Sequence, residues 1–335
     1  MAQLELNGRS VFVTGGYGLL GSWLVKALLD SGADVTVLRR DITSRSALVI
    51  SGDEARCSVV TGDLCEPGLV ERALGEYECE LVFHLAAQTI VPVANKSPLG
   101  TFETNVRGTW ILLEACRQQS VSGVVVAASD KAYGNSDTLP YTEDMPLRPL
   151  YPYDASKAAA DLITRSYFHT WGLPVAVTRF ANLYGGGDLN RSRLIPESIG
   201  AALEGRSPVI RSDGSPERDY LHVEDAVNAY LAIAAAVVEG KAGGLAINAG
   251  HGEPKSVLEV VSTICKLIGS DIEPDVRGEG APKAEIPRQW VDPTLIRELT
   301  GWEAQISLEE GLAKTIDWYR EFPEALPPGP PPRSS

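Results

Sequence analysis

Tyr153 and Lys157, in Tyr153-Asp154-Ala155-Ser156-Lys157, are the first side chains in this sequence whose types and spacing could do chemistry. Four residues apart on a helix, a phenol and an ammonium share one face. A nearby ammonium favours the phenolate, so the spacing predicts a tyrosine of lowered pKa, suited to proton transfer. The lysine could at the same time bond a ribose. Upstream, Ser129 is followed by Asp130 and Lys131, an acid and a base side by side.

A second constellation lies near the start. In Thr14-Gly15-Gly16-Tyr17-Gly18-Leu19-Leu20-Gly21, glycines at 15, 18 and 21 follow an apolar run and open a helical pattern. Such glycines permit a tight turn, close approach to a pyrophosphate, and packing of helix on sheet. The helix N-terminus then offers free N–H groups to phosphate. The next apolar run closes with Val37-Leu38-Arg39-Arg40. Guanidinium there suits a 2′-phosphate, whereas an acid would bond the ribose 2′-hydroxyl. NADP is therefore expected, with Asp41 leaving NAD open.

These side chains must be positioned by an alternation of strands and helices. Ser10–Val13, Asp34–Leu38, Ser58–Val60, Leu81–Leu85 and Gly123–Ala128 read as strands. Ser22–Ser31 and Thr101–Gln118 read as helices between them, which argues a parallel sheet covered on both faces. A helix from Ala155 to Trp171, a strand Val175–Thr178 and a glycine loop at Gly185-Gly186-Gly187 follow. Beyond these the elements shorten, as expected of a smaller lobe. Pro323 to Ser335 is proline-dominated and reads as a loose tail.

Of the 335 residues, 44% are hydrophobic and 22% charged, which excludes wholesale disorder. Acidic residues (44) outnumber basic ones (30), giving a net charge of −14 that disfavours a phosphate-tracking nucleic-acid binder. Five cysteines form no CxxC pair and no Cys/His ligand set, so neither a disulfide framework nor a metal site is expected. With no signal-like or membrane-spanning stretch evident, a cytoplasmic protein is expected.

The loop Thr14–Gly21, Gly62-Asp63-Leu64, His84-Leu85-Ala86-Ala87-Gln88, Asn105, Ser129 and Tyr153/Lys157 together resemble the extended short-chain dehydrogenase/reductase family. Arg218-Asp219-Tyr220-Leu221-His222 resembles its C-terminal-lobe motif in nucleotide-sugar enzymes. The resemblance runs from about residue 8 to 320. It implies an α/β fold: a Rossmann-like, doubly wound parallel sheet in a dinucleotide-binding domain (1–180). A smaller C-terminal α/β substrate lobe (181–322) is implied, part of it crossing back to the first domain, before the tail (323–335).

Within the family, Ser129-Asp130-Lys131 looks most like nucleotide-sugar 4,6-dehydratases of the CDP-glucose and GDP-mannose type. The resemblance implies that Ser129, Asp130, Lys131, Tyr153 and Lys157 are catalytic. Tyr153 would take the C4 hydroxyl proton, Lys131 the C5 proton, and Asp130 would protonate the departing C6 hydroxyl. It implies that Gly15, Tyr17, Gly18, Leu19, Leu20 and Gly21 hold the cofactor, with Arg39 and Arg40 at its ribose. Asp63, Leu64, Leu85, Ala86, Ala87, Gln88, Asn105, Tyr153 and Lys157 complete the cofactor set. The CDP-glucose likeness suggests NAD and the GDP-mannose likeness NADP. For a nucleotide diphosphate hexose it implies Gln88, Asn182, Arg191, Leu194, Arg211, Arg218 and Glu285. Arg193 is a further candidate in so acidic a chain, although a surface ion pair is the more ordinary role for it, and His84 reads as structural or cofactor-lining. The alternatives are a nucleotide-sugar 4-epimerase of the same family and, more remotely, a non-catalytic NADP-binding scaffold. No nucleic-acid or membrane partner is expected. A homodimer is, with a tetramer as the larger alternative.

Overall fold

The computed structural model describes residues 4–190, 192–269, 272–278 and 286–326. Six strands, β1 (Ser10–Thr14), β2 (Asp34–Arg39), β3 (Ser58–Thr61), β4 (Leu81–His84), β5 (Gly123–Ala127) and β6 (Val175–Phe180), join the strand Ala246–Ala249 in one sheet. Its order is Ala246–Ala249, β6, β5, β4, β1, β2, β3, and every neighbouring pair is parallel. Parallel strands covered by helices on both faces are apolar on every residue rather than alternate ones. That is why Val11-Phe12-Val13 and Val175-Ala176-Val177 are completely buried continuous runs. The order reverses between β1 and β4, and at that point a crevice opens beyond the carboxyl ends of the strands.

One face of the sheet is covered by helix α1 (Leu19–Asp30) and the helix Val223–Val238, through Leu24, Leu28, Ile233 and Ala234. The other is covered by the helices Leu69–Glu76 and Gly108–Gln119, through Leu69, Leu74, Leu112 and Leu113. Each buried leucine contributes about 1.5–3 kcal/mol by leaving water. After Phe180 the described residues build three small sheets and return to the main sheet as the helix Val223–Val238 on its face and the strand Ala246–Ala249 at its edge. Tyr184, Ile195, Ile199, Val260, Ile264 and Ile316 form this lobe's own core.

Two expectations change. The helix expected over Thr101–Gln118 is two α-helical segments, Pro98–Phe102 and Gly108–Gln119, joined by a π turn at Glu103–Arg107. The π turn carries Asn105, whose side chain is occupied by the loop after β4. The loose tail does not begin at Pro323. Pro323–Ala325 is a 3-10 turn with Ala325 fully buried, and Leu326 packs against the lobe core. Apolar contact there outweighs the proline bias; the remaining tail, 327–335, lies outside the described residues. Among the described residues no helix is long and apolar enough to cross a membrane.

Candidate active site

The crevice is a cleft of about 740 Å³ whose lining comes from both parts of the chain. At one end Gly15, Tyr17, Gly18, Leu19, Leu20 and Gly21 form its wall. Gly15 has φ +75°, and a Cβ there would lie 2.7 Å from the Ala86 backbone nitrogen. A Cβ at Gly21 would lie 2.1 Å from the Gly15 carbonyl oxygen, so the turn closes only on hydrogen. Gly18 is the N-cap of α1 and supplies no side-chain cap, which leaves the first N–H groups of the helix for an anion. Asp63, Leu64, Leu85, Ala86 and Ala87 continue the lining. These residues fit the pyrophosphate and adenosine half of a dinucleotide.

The reacting end is built where β5 stops. Ser129 caps the 3-10 turn Asp130–Tyr133: its hydroxyl accepts from the Lys131 backbone N–H (3.2 Å) and donates to Asp130 Oδ1 (3.1 Å). Asp130 is 2% exposed and its Oδ2 has no hydrogen-bond partner. Burial pushes its pKa up to about 6, opposed by the Lys131 charge and the Ser129 bond. The helix Pro152–Trp171 brings Tyr153 and Lys157 to the same cleft. Lys157 donates from Nζ to the Ala127 carbonyl (2.7 Å), and burial lowers its pKa to about 8. Ser129, Asp130, Lys131, Tyr153 and Lys157 all line the cleft, as do Asn182 and Leu194.

The expected lowering of the Tyr153 pKa is corrected. Burial raises it to about 12; the Arg193 charge and the Ser129 hydroxyl pull it down, while Asp130 and Asp154 push it up. The Lys157 ammonium is turned to a carbonyl, so desolvation dominates at the phenol.

Several expected contacts are spent elsewhere. Arg39 does not line the cleft: its guanidinium bonds Glu54 Oε1 and Thr61 Oγ1, both at 3.2 Å. Arg40, Asp41 and Thr43 line it instead. Gln88 turns away, its Oε1 accepting from the Ile90 N–H (2.9 Å). Asn105 is 2% exposed and acts on the backbone, accepting from the Gln88 N–H (2.7 Å) and donating to the Gln88 carbonyl (3.1 Å) and to Ser156 Oγ (2.8 Å). It shapes the loop without lining the cleft. Arg211 is exposed on the second lobe and lines no part of it. Arg218 is buried, donates to the Glu217 and Pro287 carbonyls, and acts on Asp130 through its charge. Arg191 and Glu285 lie outside the described residues.

The cleft also gathers an arginine that the sequence offered only as a further candidate. Arg193 lines it and pairs with Asp188 at 3.2 Å, although its type and position read as a surface ion pair. Its place just after the glycine loop Gly185–Gly187, beyond the carboxyl end of β6, was the available signal. His84 is not in the wall. It is held between Thr14 Oγ1 (2.7 Å) and Thr109 Oγ1 (3.1 Å), and burial lowers its pKa to about 3, so it is neutral and structural.

A parallel sheet with a glycine turn at its first helix and a Tyr/Lys pair beside the switch point defines a short-chain dehydrogenase/reductase type of protein. The profile of the NAD dependent epimerase/dehydratase family matches residues 11–250, and the chain belongs to that family. It is 33% identical over 337 residues to dTDP-glucose 4,6-dehydratase 1 of Escherichia coli (strain K12), covering 92% of each chain. It is also 33% identical over 316 residues to a UDP-glucose 4-epimerase of Mycolicibacterium smegmatis, covering 92% of this chain and 97% of that one. Among solved structures, the dTDP-glucose 4,6-dehydratase DesIV of Streptomyces venezuelae, crystallised with NAD, superposes with a TM-score of 0.84 at 31% identity. That match covers 93% of this chain and 97% of DesIV.

Proposed function

We propose that the protein is a nucleotide-sugar 4,6-dehydratase, converting a nucleoside diphosphate hexose to its 4-keto-6-deoxy form with loss of one water. The observation that carries this is the acid–base pair Asp130 and Lys131 on the cleft beside Tyr153 and Lys157. The dinucleotide, when bound, supplies the hydride acceptor and donor and a positive ring charge. The protein's side chains manage the protons. Tyr153 accepts the proton of the C4 hydroxyl, with Ser129 beside the phenol. Lys131 removes the C5 proton, made acidic by the neighbouring ketone. Asp130 donates to the departing C6 hydroxyl, and its raised pKa brings the protonated form within reach of neutral pH. Asn182, Arg193 and Leu194 form the sugar-nucleotide end of the cleft. Arg193 provides positive charge that a diphosphate needs in so acidic a chain.

For the cofactor the reading shifts toward NAD. With Arg39 engaged by Glu54, the basic side chain of this loop on the cleft is Arg40, and its Nε donates to Asp41 Oδ2 (2.7 Å). Asp41, also in the wall, can accept from ribose hydroxyls. The 4-epimerase reading stays as the alternative because an epimerase relative is as similar as the dehydratase one. Incubation with CDP-, GDP-, UDP- and dTDP-hexoses separates the two. A dehydratase yields the alkali-induced ultraviolet absorption of a 4-keto-6-deoxy sugar; an epimerase yields only the C4 epimer. The acid–base pair keeps CDP-glucose and GDP-mannose on that panel, and the relatives add dTDP- and UDP-glucose.

A further inference from the structure

Two arginines close the second strand, and each is tied to an acid. Arg39, the last residue of β2, donates from Nη1 to Glu54 Oε1 and from Nη2 to Thr61 Oγ1, both at 3.2 Å. Its Nε is buried and, among the described residues, has no hydrogen-bond partner. Arg40 donates from Nε to Asp41 Oδ2 at 2.7 Å. Glu54 is the better held of the two acids. Its Oε1 also accepts from the Tyr17 hydroxyl (2.6 Å), and Tyr17 belongs to the glycine turn that lines the cleft. Burial and the Glu54 carboxylate hold that phenol well above its ordinary range, so it stays a donor. Glu54 sits on the 3-10 turn Asp53–Arg56, which is itself pinned. Buried Asp53 accepts from Ser51 Oγ (2.7 Å) and from Arg56 Nη1 (2.8 Å), and Arg56 reaches on to Asp30 of α1 (3.0 Å). An ion pair in open solvent would be worth little. This one is mostly covered, with side chains 32% and 27% exposed, and its carboxylate is fixed before the guanidinium arrives.

We propose that Glu54 is a specificity-determining residue for the dinucleotide: by capturing Arg39 it withholds from a 2′-phosphate the guanidinium that the end of β2 would otherwise present, and so turns the site toward NAD. The inference deepens the NAD reading above and rests on it. A phosphate monoester needs a charge-assisted donor, and a guanidinium offers two parallel N–H groups to its oxygens. A free 2′-hydroxyl needs only an acceptor, which Asp41 supplies in the cleft wall. Glu54 touches no part of the cleft itself and acts through Arg39, so it is a positioning residue. The two basic residues at the strand end would by type favour NADP. Glu54, fifteen positions further along the chain, cancels the first of them, and Asp41 engages the second.

The test is Glu54→Gln in the purified full chain, equilibrated with mixtures of NAD and NADP. Native mass spectrometry reads the occupancy of each dinucleotide and needs no turnover. Glutamine keeps an oxygen for the Tyr17 hydroxyl but lacks the charge that holds Arg39. The NADP-to-NAD affinity ratio should rise about tenfold or more, the worth of one charge-assisted contact. In an Arg39→Ala background the same substitution should move the ratio by about twofold or less, because no guanidinium is left to release. An unmoved ratio in Glu54→Gln would overturn the proposal. So would an equal rise in both backgrounds, which would make Glu54 a plain repelling charge. Should Glu54→Gln not fold, Glu54→Asp, whose carboxylate is one methylene short, should raise the ratio in the same direction; an unmoved ratio there counts against the capture. If wild type takes NADP over NAD, the NAD reading fails. The rise in Glu54→Gln and its dependence on Arg39 still decide whether Glu54 holds the guanidinium away.

Discussion

Replacing Asp161 by alanine should unfold this protein more readily than almost any other single polar substitution. Asp161 is wholly buried on the helix Pro152–Trp171 and receives Arg179, 1% exposed on β6, through Nε (2.7 Å) and Nη2 (3.0 Å). Arg179 also donates from Nη1 to Tyr133 Oη (2.9 Å) and to the Glu143 carbonyl (3.2 Å), and its guanidinium lies 4.9 Å from the Tyr133 ring centre. Burial alone would depress the guanidinium; the bonds and charge of Asp161 outweigh it and hold it above its ordinary range. Asp161→Ala therefore cannot be relieved by deprotonation and leaves a cation stranded in the core. Breaking such a pair from one side costs about 3–5 kcal/mol. Removing both charges together, as Asp161→Leu with Arg179→Met, should cost less than Asp161→Ala alone, because no charge is left unpaired. Denaturant unfolding at neutral pH measures both. A loss below about 1 kcal/mol for Asp161→Ala, or a double variant worse than the single one, would refute this account. Activity should fall as well, since Arg179 holds Tyr133, the last residue of the turn that begins with Asp130 and Lys131.

Lys131→Ala should lower formation of the 4-keto-6-deoxy sugar by about 10²–10⁴-fold while sugar-nucleotide binding persists; near wild-type turnover would favour the epimerase reading. Tyr153→Phe should fold normally and lose the initial oxidation, checked by hydride transfer in a stopped-flow mix with substrate. Arg39→Ala should leave the ratio of NAD to NADP affinity almost unchanged, whereas Arg40→Ala should weaken NADP more than NAD; calorimetry on the stripped protein decides. Asp130→Asn should abolish activity yet stabilise the fold. The folded-state pKa of Asp130 is raised from 3.8 to about 6, so its burial penalty is absent below the unfolded pKa and complete above about pH 6. Removing the charge should add up to about 3 kcal/mol at pH 7.5 and flatten the loss of stability between pH 4 and 6. Trp110 and Leu162, 44% and 57% exposed on the helices Gly108–Gln119 and Pro152–Trp171, should be covered in a homodimer; a monomeric mass in light scattering at micromolar concentration would exclude it.

The strands were legible because burial on both faces makes them short, dense apolar runs, as in Val11–Val13 and Val124–Val126, which periodicity reports directly. The glycine turn and the Tyr153/Lys157 pair were legible because their geometry is local: a few consecutive residues, or one helical turn. The choice of partner by a long side chain was not. Nothing near Arg39 in sequence says that Glu54, fifteen positions on, captures it in a 3.2 Å ion pair. Nor does a local pattern say that Gln88 turns inward to Ile90, or that Arg193 faces the cleft while Arg211 does not. The lowered phenol pKa failed for the same reason. Spacing puts Lys157 on the face of Tyr153, but the acceptor of its ammonium, the Ala127 carbonyl, arrives from β5, thirty positions away in sequence.

The π turn at Glu103–Arg107 allows one continuous helical rod to serve two faces that need not agree in phase. Each residue of an α-helix advances about 100° around the axis, so in a regular helix Asn105 and Trp110 would have a fixed angular offset. The wider turn absorbs an extra residue between them. Upstream, Asn105 meets the loop after β4; downstream, Trp110 faces outward. Deleting one residue inside the turn would regularise the helix and rotate one half against the other, so that either Asn105 or the outward face would be misaligned. Conversely, substitutions on the outward face can accumulate without disturbing the loop at the cleft, because the turn works as a joint that keeps the two phases independent.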